Sequence, residues 1–318
     1  MKKLFAGMAL LALTAGVADA QEVTLRGVTA FAKGTTFSRP FEAFVAWVNE
    51  NGKGLVQIDY VGGPEAVPTF ELGNAVSSGI VDIANNTSAF YTNLVPEGDA
   101  LHLATNTIQT QRANGCYALV DAIHQDKMNV KYLARTGDNI NFHLYLTKPI
   151  SGPDLSGLTI RTTPVYQAMF EALGADLVRT APGEVYTALE RGAIDGYGWP
   201  IQGVLDLGWD ELTKYRVDPG FYQVDVNFLV NLDRWKALSD EQKAVLEKGA
   251  EMIEAQNAAN LDINASEAAK QKEAGIEVIS FAGDDSAKWL ATAQSTGWAS
   301  VKAIDAEVGA KLESCLVQ

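Results

Sequence analysis

The sequence predicts an α/β protein of two domains, each built on a mixed β-sheet flanked by helices, with a hinge cleft between them. The chain has 318 residues, and a single hydrophobic core usually stops growing at about 250–300 residues. Strand-like and helix-like segments alternate along it, which favours sheets that contain parallel strands. A helix–glycine–strand motif also occurs twice. With 47% hydrophobic and 20% charged residues, the composition excludes disordered and fibrous proteins.

The repeated motif has the spacing E-x3-A-x3-G-x2-D and covers residues 71–82 and 184–195. Each copy predicts a helix, a glycine that ends it, and a short strand carrying an aspartate. Four matched positions leave chance similarity open as an alternative. The physical interpretation is two α/β domains of similar build. Ligands of such proteins bind at the carboxyl ends of strands and between domains.

The remaining elements follow from local signals. Pro164 favours a first helical turn, so a helix is predicted over 162–173, ended by Gly174. Ser239 and Gln242 form a capping box before a helical stretch to residue 274, read as one long helix or two. Further strands are predicted at 23–28, 55–60, 80–84, 141–145, 158–161, 228–231 and 277–281, and further helices at 41–49, 69–78 and 286–312.

The start of the chain predicts a signal peptide over residues 1–20. A basic Met1-Lys2-Lys3 precedes an apolar run, and Ala18-Asp19-Ala20 fits the small-x-small cleavage pattern. A membrane anchor is the alternative, but the run is short for a span, and no later segment reaches 18 uncharged apolar residues. We expect a periplasmic protein without direct membrane insertion. Domain I is predicted over 21–145 and about 228–270, and domain II over 146–227 and about 271–318.

Cysteine and histidine are scarce. Cys116 and Cys315 either form a disulfide, which export permits, or remain two buried thiols. His102, His124 and His143 lack the spacing of a structural zinc site. We therefore expect neither a metal nor a cofactor.

The charge and the missing motifs exclude several function classes. The formal net charge of -14 argues against nucleic acid and anionic membranes as partners. The sequence contains no G-x-G-x-x-G, P-loop, G-x-S-x-G, C-x-x-C or H-E-x-x-H motif. We expect a protein that is not an enzyme, although an exported enzyme acting on a small acid stays open as an alternative.

Three ordered segments carry a family resemblance: Leu-Ser-Gly-Leu-Thr-Ile-Arg at 155–161, Leu-Gly-Ala at 173–175, and the second motif copy through 196. Together with the segment 230–241, they resemble the solute-binding proteins of TRAP transporters, the C4-dicarboxylate-binding (DctP-type) family. The resemblance covers nearly the whole chain after the leader. It implies the two-domain periplasmic solute-binding protein fold, an organic acid as ligand, and delivery to the small and large membrane subunits of a TRAP permease. We expect a monomer.

The resemblance also implies that Arg161 is the carboxylate-binding arginine. A guanidinium presents a planar fork that meets a carboxylate with two parallel, charge-assisted hydrogen bonds. The alternative is a structural salt bridge within the second domain.

The sequence departs from the family where ligand contacts are common. Tyr197-Gly198-Trp199-Pro200 replaces a stretch that often contains Glu-Asn, and the segment 142–150 lacks a second arginine. Aromatic groups thus stand in for polar or cationic ones, which favours a monocarboxylate with an apolar or aromatic body. A C4-dicarboxylate or a small hydroxy or oxo acid is the alternative. Gly198 offers no carboxylate, so metal-assisted binding is not expected.

Other candidate ligand-binding residues lie in loops or strand ends that could face the cleft. For the aromatic residues the alternative is core packing, and for Asn86 and Ser88 it is turn formation. With Arg161 and Trp199, the predicted set comprises Phe31, Thr36, Asn86, Ser88, Phe142, His143, Tyr222 and Asp225.

Overall fold

The computed structural model describes residues 21–317 and contains two β-sheets. The predicted signal peptide lies outside the described residues. In the described part, no helix is both long and apolar enough to cross a membrane. The strands are β1 (Val23–Thr29), β2 (Val56–Gly62), β3 (Ile83–Asn86), β4 (Val130–Thr136), β5 (Phe142–Leu146), β6 (Thr159–Thr162), β7 (Asp176–Arg179), β8 (Gly196–Pro200), β9 (Tyr215–Asp218), β10 (Val226–Asn231) and β11 (Glu277–Ser280).

Helices cover both sheets. They are α1 (Arg39–Asn51), α2 (Leu72–Ser77), α3 (Ile108–Asn114), α4 (Cys116–Met128), α5 (Pro164–Ala172), α6 (Val185–Glu190), α7 (Leu232–Ala237), α8 (Asp240–Ala255), α9 (Asn260–Glu273), α10 (Gly283–Ile304) and α11 (Ala306–Leu316). The predicted stretch to residue 274 is two helices, α8 and α9, joined by a 3₁₀ turn at Gln256–Ala259.

The two sheets are both mixed, as predicted. The first has the order β2-β1-β3-β10-β4, in which β10 runs antiparallel to β3 and β4. The second has the order β11-β9-β5-β8-β6-β7, in which β5 runs antiparallel to β8 and β9. Pairing between strands that are distant in sequence thus produces two α/β units. The first unit is built on the first sheet and the second unit on the second sheet, and each contains one copy of the repeated motif.

The repeated motif forms the same joint in both sheets. Gly79 and Gly192 adopt positive φ angles of 77° and 64° after α2 and α6, a conformation that glycine reaches without steric cost. Each aspartate lies one residue before its strand and accepts a backbone N–H of the neighbouring parallel strand. Asp82 Oδ2 accepts from Arg26 at 2.9 Å, and Asp195 Oδ2 accepts from Thr159 at 2.9 Å. The aspartate of each motif therefore fixes where the strand that follows it lies against its parallel neighbour.

Amphipathic helices supply the apolar cover. The first helix, α1, buries Phe41, Phe44, Val45 and Val48, which recur at the i, i+3, i+4 and i+7 positions of one helical face. Their core contacts include the ring of Phe228 on β10, whose centre lies 5.2 Å from that of Phe41 and 5.0 Å from that of Phe44. The apolar period of the sequence thus decides which face of α1 meets the sheet.

The chain passes between the sheets earlier than the predicted boundary at residue 145. All of β5 belongs to the second sheet because it pairs with β8 and β9. The passages at 137–141 and 219–225 lie side by side, since the N–H of Asn139 donates to Gln223 Oε1 at 2.9 Å. The third passage is the 3₁₀ turn between α8 and α9. It contacts the first passage, because Asn257 Oδ1 accepts the N–H of Gly137 at 3.0 Å.

The C-terminal helices also depart from the predicted division. The predicted helix over 286–312 is broken at Asp305, which caps α11 by accepting the N–H groups of Glu307 and Val308. Helix α10 packs against both units, whereas α11 packs against α3 and α4 of the first. A disulfide joins Cys116 to Cys315. The bridge places α11 with domain I, and the rest of the domain division stays a prediction.

Candidate functional site

A cavity lies between the two sheets. We call it the inner cavity. It adjoins a wider space, the mouth, and the two share Phe31, Phe37 and Trp199. The inner cavity is lined by Phe31, Phe37, Thr87, Ala89, Phe90, Phe142, Arg161, Thr163, Tyr166, Trp199, Pro200, Val224, Asp225 and Val226. Both units thus contribute walls, and most of the lining is apolar.

Arg161 lies near the carboxyl end of β6, between β7 and β8, with 0% of its surface exposed. Its Nε and Nη2 donate to the carbonyl of Thr180 at 3.1 and 2.8 Å. Its Nη1 donates to the Tyr166 hydroxyl at 2.9 Å. These three bonds use three of the five N–H donors of a guanidinium and leave two. The side chain is thus held in place with part of its fork unused.

No ion pair among residues 21–317 involves Arg161. The predicted alternative, a salt bridge within the second domain, is therefore wrong. The nearest π system is the ring of Trp199, whose centre lies 5.9 Å from the guanidinium carbon. A buried charge without a counter-charge is costly. This arrangement favours an anion in the inner cavity.

Tyr166 is a site residue that the sequence analysis missed. Its hydroxyl accepts from Arg161 and donates to the carbonyl of Gly198 at 2.9 Å. A Cβ at Gly198 would lie 2.8 Å from two atoms of the tyrosine ring, so only glycine lets the ring approach β8 this closely. The available signal was the position of Tyr166 in the first turn of the helix that follows Arg161.

The other walls are aromatic side chains from both units. Across the cleft, the ring centres of Phe37 and Trp199 lie 6.0 Å apart. Two polar atoms in the lining, Thr163 Oγ1 and Trp199 Nε1, are buried without a hydrogen-bond partner in the described structure. The indole N–H can only donate, whereas the threonine hydroxyl can donate or accept. The site therefore combines apolar surface with unused polar atoms.

The structure brings five of the ten predicted residues to the inner cavity: Arg161, Trp199, Phe31, Phe142 and Asp225. Thr36 lies at the mouth instead. Four line neither space: Asn86, Ser88, His143 and Tyr222.

Strand geometry explains the misplacement of His143, and a hydrogen bond to α10 explains that of Tyr222. Phe142 and His143 are neighbours on β5, and successive side chains of a strand point to opposite faces. Phe142 faces the cavity, so His143 faces away, with Nδ1 lying 2.9 Å from Asp218 Oδ1. The hydroxyl of Tyr222 donates to the carbonyl of Ala293 on α10 at 2.8 Å. Both side chains therefore serve internal contacts.

Asn86 and Ser88 flank Thr87, which does line the inner cavity. The Oδ1 of Asn86 accepts the N–H of Thr87 at 2.9 Å. The N–H of Ser88 donates to Asp225 Oδ2 at 3.2 Å. The predicted alternative of local turn bonding thus describes Asn86, and Ser88 holds Asp225 through its backbone.

Asp225 lines the inner cavity but is compensated by its own unit. It accepts hydrogen bonds from the Tyr132 hydroxyl and the Asn227 amide, both at 2.8 Å. Arg135 Nε lies 3.6 Å from its Oδ1. The negative charge therefore has partners nearby, and the charge left open to a ligand is that of Arg161.

Asp99, in the 3₁₀ turn Pro96–Leu103, is a partly buried acid outside the cavity lining. Burial raises its pKa to about 7, and its Oδ1 has no hydrogen-bond partner within 21–317. In the unfolded chain an aspartate titrates near pH 4. Neutral Asp99 therefore stabilises the fold below about pH 4, and this contribution is lost as the pH rises through about 7.

We therefore expect Asp99→Asn to raise the free energy of unfolding by about 1–3 kcal/mol at about pH 8, because the buried charge disappears. At about pH 4 the change should be small. Urea unfolding at both pH values measures it, with the exposed Asp284→Asn as control. Equal stabilisation at both pH values would contradict the prediction.

The chain matches one family model and several known proteins. Residues 27–300 match the model of the family described as bacterial extracellular solute-binding protein, family 7. A monocarboxylate 2-oxoacid-binding periplasmic protein of Nostoc sp. is 28% identical over 213 residues, which are 62% of this chain and 57% of that protein. The 2,3-diketo-L-gulonate-binding periplasmic protein YiaO of Escherichia coli is 31% identical over 135 residues, 41% of each. The matches thus span less than two thirds of these relatives' length.

Solved structures share the fold over nearly their whole length. A TRAP periplasmic solute-binding protein of Roseobacter denitrificans, with bound L-galactonate, has a TM-score of 0.80 at 20% identity and covers 93% of this chain and 99% of its own. An extracytoplasmic solute receptor of Bordetella pertussis that binds pyroglutamic acid has a TM-score of 0.82 at 15% identity, covering 92% and 99%. At these identities the likeness concerns the fold alone.

Proposed function

The chain belongs to the bacterial extracellular solute-binding proteins of family 7, and on that premise we propose that it captures a small organic acid in the periplasm. The ligand proposed is a monocarboxylate with an apolar or aromatic body, clamped by Arg161. The protein then delivers the acid to the small and large membrane subunits of a TRAP permease and acts as a monomer. It binds its ligand without converting it.

The observation that carries the proposal is the state of Arg161. The guanidinium is fully buried, is fixed by Thr180 and Tyr166, keeps two N–H donors unused, and has no ion-pair partner in residues 21–317. A carboxylate of the ligand supplies the missing negative charge and accepts from the free edge of the fork. A neutral ligand would leave the buried charge uncompensated.

The walls of the inner cavity favour a ligand with an apolar or aromatic body. Phe31, Phe37, Phe90 and Phe142 surround the space beyond Arg161, and aromatic rings pack well against apolar or ring surfaces. A second carboxylate would find no second cation, because Arg161 is the one cationic residue among the described lining residues of the inner cavity. The relatives bind a 2-oxoacid, diketogulonate, galactonate and pyroglutamate, which supports an organic acid as the general class.

The second candidate ligand is a small hydroxy or oxo acid. Thr163 Oγ1 and Trp199 Nε1 are buried without hydrogen-bond partners among the described groups. The hydroxyl or oxo oxygen of such an acid could form a hydrogen bond with one of these two atoms. A C4-dicarboxylate remains the other alternative within the class. An exported enzyme that converts a small acid is the alternative from another class, and it would reveal itself by turnover of the bound acid.

A thermal-shift screen of the exported protein tests the proposal. The panel contains benzoate, 4-methyl-2-oxopentanoate, pyruvate, succinate and malate, and calorimetry follows any hit. We expect an aromatic or branched monocarboxylate to give the largest shift, since a ligand at about 100 times its Kd stabilises by roughly 2.7 kcal/mol. A larger shift with succinate or malate would favour the dicarboxylate alternative.

Two further outcomes would reject larger parts of the proposal. Product detected by NMR after incubation would replace the binding role with an enzymatic one. No shift with any acid, in protein verified to be free of co-purified ligand, would overturn the proposed ligand class.

A further inference from the structure

We infer that Asp206 is a positioning residue that latches the two domains together across the mouth of the cleft. The inference goes beyond the proposed function, because it depends on the contact between the two units and not on which acid the cavity holds. Asp206 belongs to the second unit, in the 3₁₀ turn Leu205–Leu207 after β8. Its partners belong to the first unit.

A single carboxylate oxygen makes the contact. Asp206 Oδ2 accepts the backbone N–H of Thr36 at 2.7 Å and the hydroxyl of Thr36 at 2.6 Å. It also accepts from Nη2 of Arg39 at 2.9 Å. The same Nη2 lies 2.9 Å from Thr36 Oγ1, so the three residues form a closed set. We call these three residues the latch.

The surroundings of the latch favour a negative charge at this point. Arg39 is the first residue of α1, whose N-cap residue Ser38 makes no side-chain capping bond. The N-terminus of a helix carries a partial positive charge. Asp206 therefore accepts from a backbone N–H, a hydroxyl and a guanidinium beside the start of α1. An isolated surface ion pair contributes little, but a carboxylate that accepts three bonds, two of them from one fixed loop, is a stronger contact.

The latch lies where separation of the units would break it. Thr36 and Asp206 line the mouth together with Trp199, and Thr36 and Arg39 also line the groove beside α9. The latch thus forms the wall between these two spaces. Because its donors and its acceptor belong to different units, all three bonds are lost when the units move apart at the passages 137–141 and 219–225.

Closure and ligand retention are therefore linked through a residue that does not line the inner cavity. Loss of the latch lowers the population of the closed state, and a ligand that needs that state binds with an affinity reduced by the same fraction. The effect falls mainly on the dissociation rate.

A second contact across the mouth allows closure to be measured separately. The guanidinium carbon of Arg179, at the end of β7, lies 4.7 Å from the ring centre of Phe70 in the first unit. With Phe70→Cys and Arg179→Cys, a short bismaleimide joins the two positions when the domains are closed. The native cysteines are held in the Cys116–Cys315 disulfide and do not react with it.

The experiment compares crosslinking rates, without any added acid, in the two-cysteine protein and in the same protein carrying Asp206→Ala or Asp206→Asn. We expect the rate to fall about three- to tenfold for alanine. Asparagine keeps an acceptor oxygen but no charge, so its rate should be intermediate. Added salt should slow the parent protein toward the asparagine variant, since screening weakens exposed charge contacts.

Two controls keep the test specific. Asp210→Ala removes a carboxylate from the adjoining turn that makes none of the latch bonds, and its rate should match that of the parent. Thr36→Val removes one donor and should give a smaller decrease than Asp206→Ala. Melting temperatures verify that each variant is folded.

Equal rates for the parent and Asp206→Ala would overturn the latch, as would an equal decrease for Asp210→Ala. Because no acid is present, the result is independent of the ligand screen. A protein that binds none of the tested acids yet crosslinks in an Asp206-dependent manner would lose the proposed function and keep the latch.

Discussion

Replacing Arg161 with alanine is expected to abolish binding of the acid that gives the largest shift in the ligand screen, while the protein stays folded. The variant leaves a desolvated ligand carboxylate without its partner, and losing one member of a buried charge pair costs about 2–5 kcal/mol. That range corresponds to an affinity reduced by roughly 30-fold to several thousand-fold. Calorimetric titration measures the loss.

The fold should survive because Arg161 makes no ion pair within residues 21–317. Its removal costs the carbonyl of Thr180 two hydrogen bonds and the hydroxyl of Tyr166 one. It also removes a buried cation that the protein itself does not neutralise, which offsets part of that loss. Circular dichroism and the melting temperature of the ligand-free variant verify this.

Two matched variants separate the clamp from general effects of charge. Arg161→Lys keeps the positive charge but not the planar fork, so its affinity should lie between those of the parent and the alanine variant. Arg191→Ala removes an exposed arginine of the same domain and should bind like the parent. A folded Arg161→Ala protein of unchanged affinity would refute the clamp.

The parts of the fold that could be predicted are those specified by local signals. The repeated motif predicted a helix, a glycine and an aspartate in both units, and the structure contains both joints. The apolar residues at helical spacing predicted a helix over 41–49, and α1 is found there. These features depend on residues within a few turns of one another, where backbone preference and apolar period act directly.

The parts that could not be predicted depend on distant pairing. All five residues of β5 are buried, so the sequence does not indicate which face of the strand meets the cleft. Phe142 and His143 were consequently placed together, although only one can face the cavity. The unit to which β5 belongs is decided by its partners β8 and β9, which lie at least 50 positions further along the chain.

The residues of the candidate site also divide into those that could be predicted from the sequence and those that could not. Arg161 was identified because a family resemblance and a strand end coincide at that residue. Tyr166 was missed because its role depends on the absence of a side chain at Gly198, on a different strand. The contact between Thr36 and Asp206 joins positions 170 residues apart and exists only where the two units meet, so no local pattern could indicate it.

Removal of the Cys116–Cys315 disulfide is expected to produce the largest loss of stability among the changes considered. The bridge joins residues 199 positions apart, and closing a long loop restricts the unfolded chain strongly. A native disulfide in this situation contributes about 2–5 kcal/mol to the free energy of unfolding. The double variant Cys116→Ala/Cys315→Ala should therefore unfold at a clearly lower urea concentration.

The loss should remain separate from ligand binding. The bridge fastens α11 to α4, and no residue of either helix lines the inner cavity. The carbonyl of Cys315 also accepts from the side-chain amides of Asn106 and Asn114 at 2.7 and 2.9 Å, so α11 keeps other contacts with the first unit. We expect the double variant to bind acids with nearly the affinity of the parent.

A reducing agent supplies the control for lost side-chain packing. Reduction of the parent protein keeps both sulfur atoms in place and removes only the covalent constraint, whereas the double variant has no bond to reduce. The reductant should lower the urea midpoint of the parent and leave that of the variant unchanged. If the parent's midpoint did not move, the bridge would contribute nothing to stability. If thiol titration of the unreduced protein found two free cysteines, the bridge would not exist in solution.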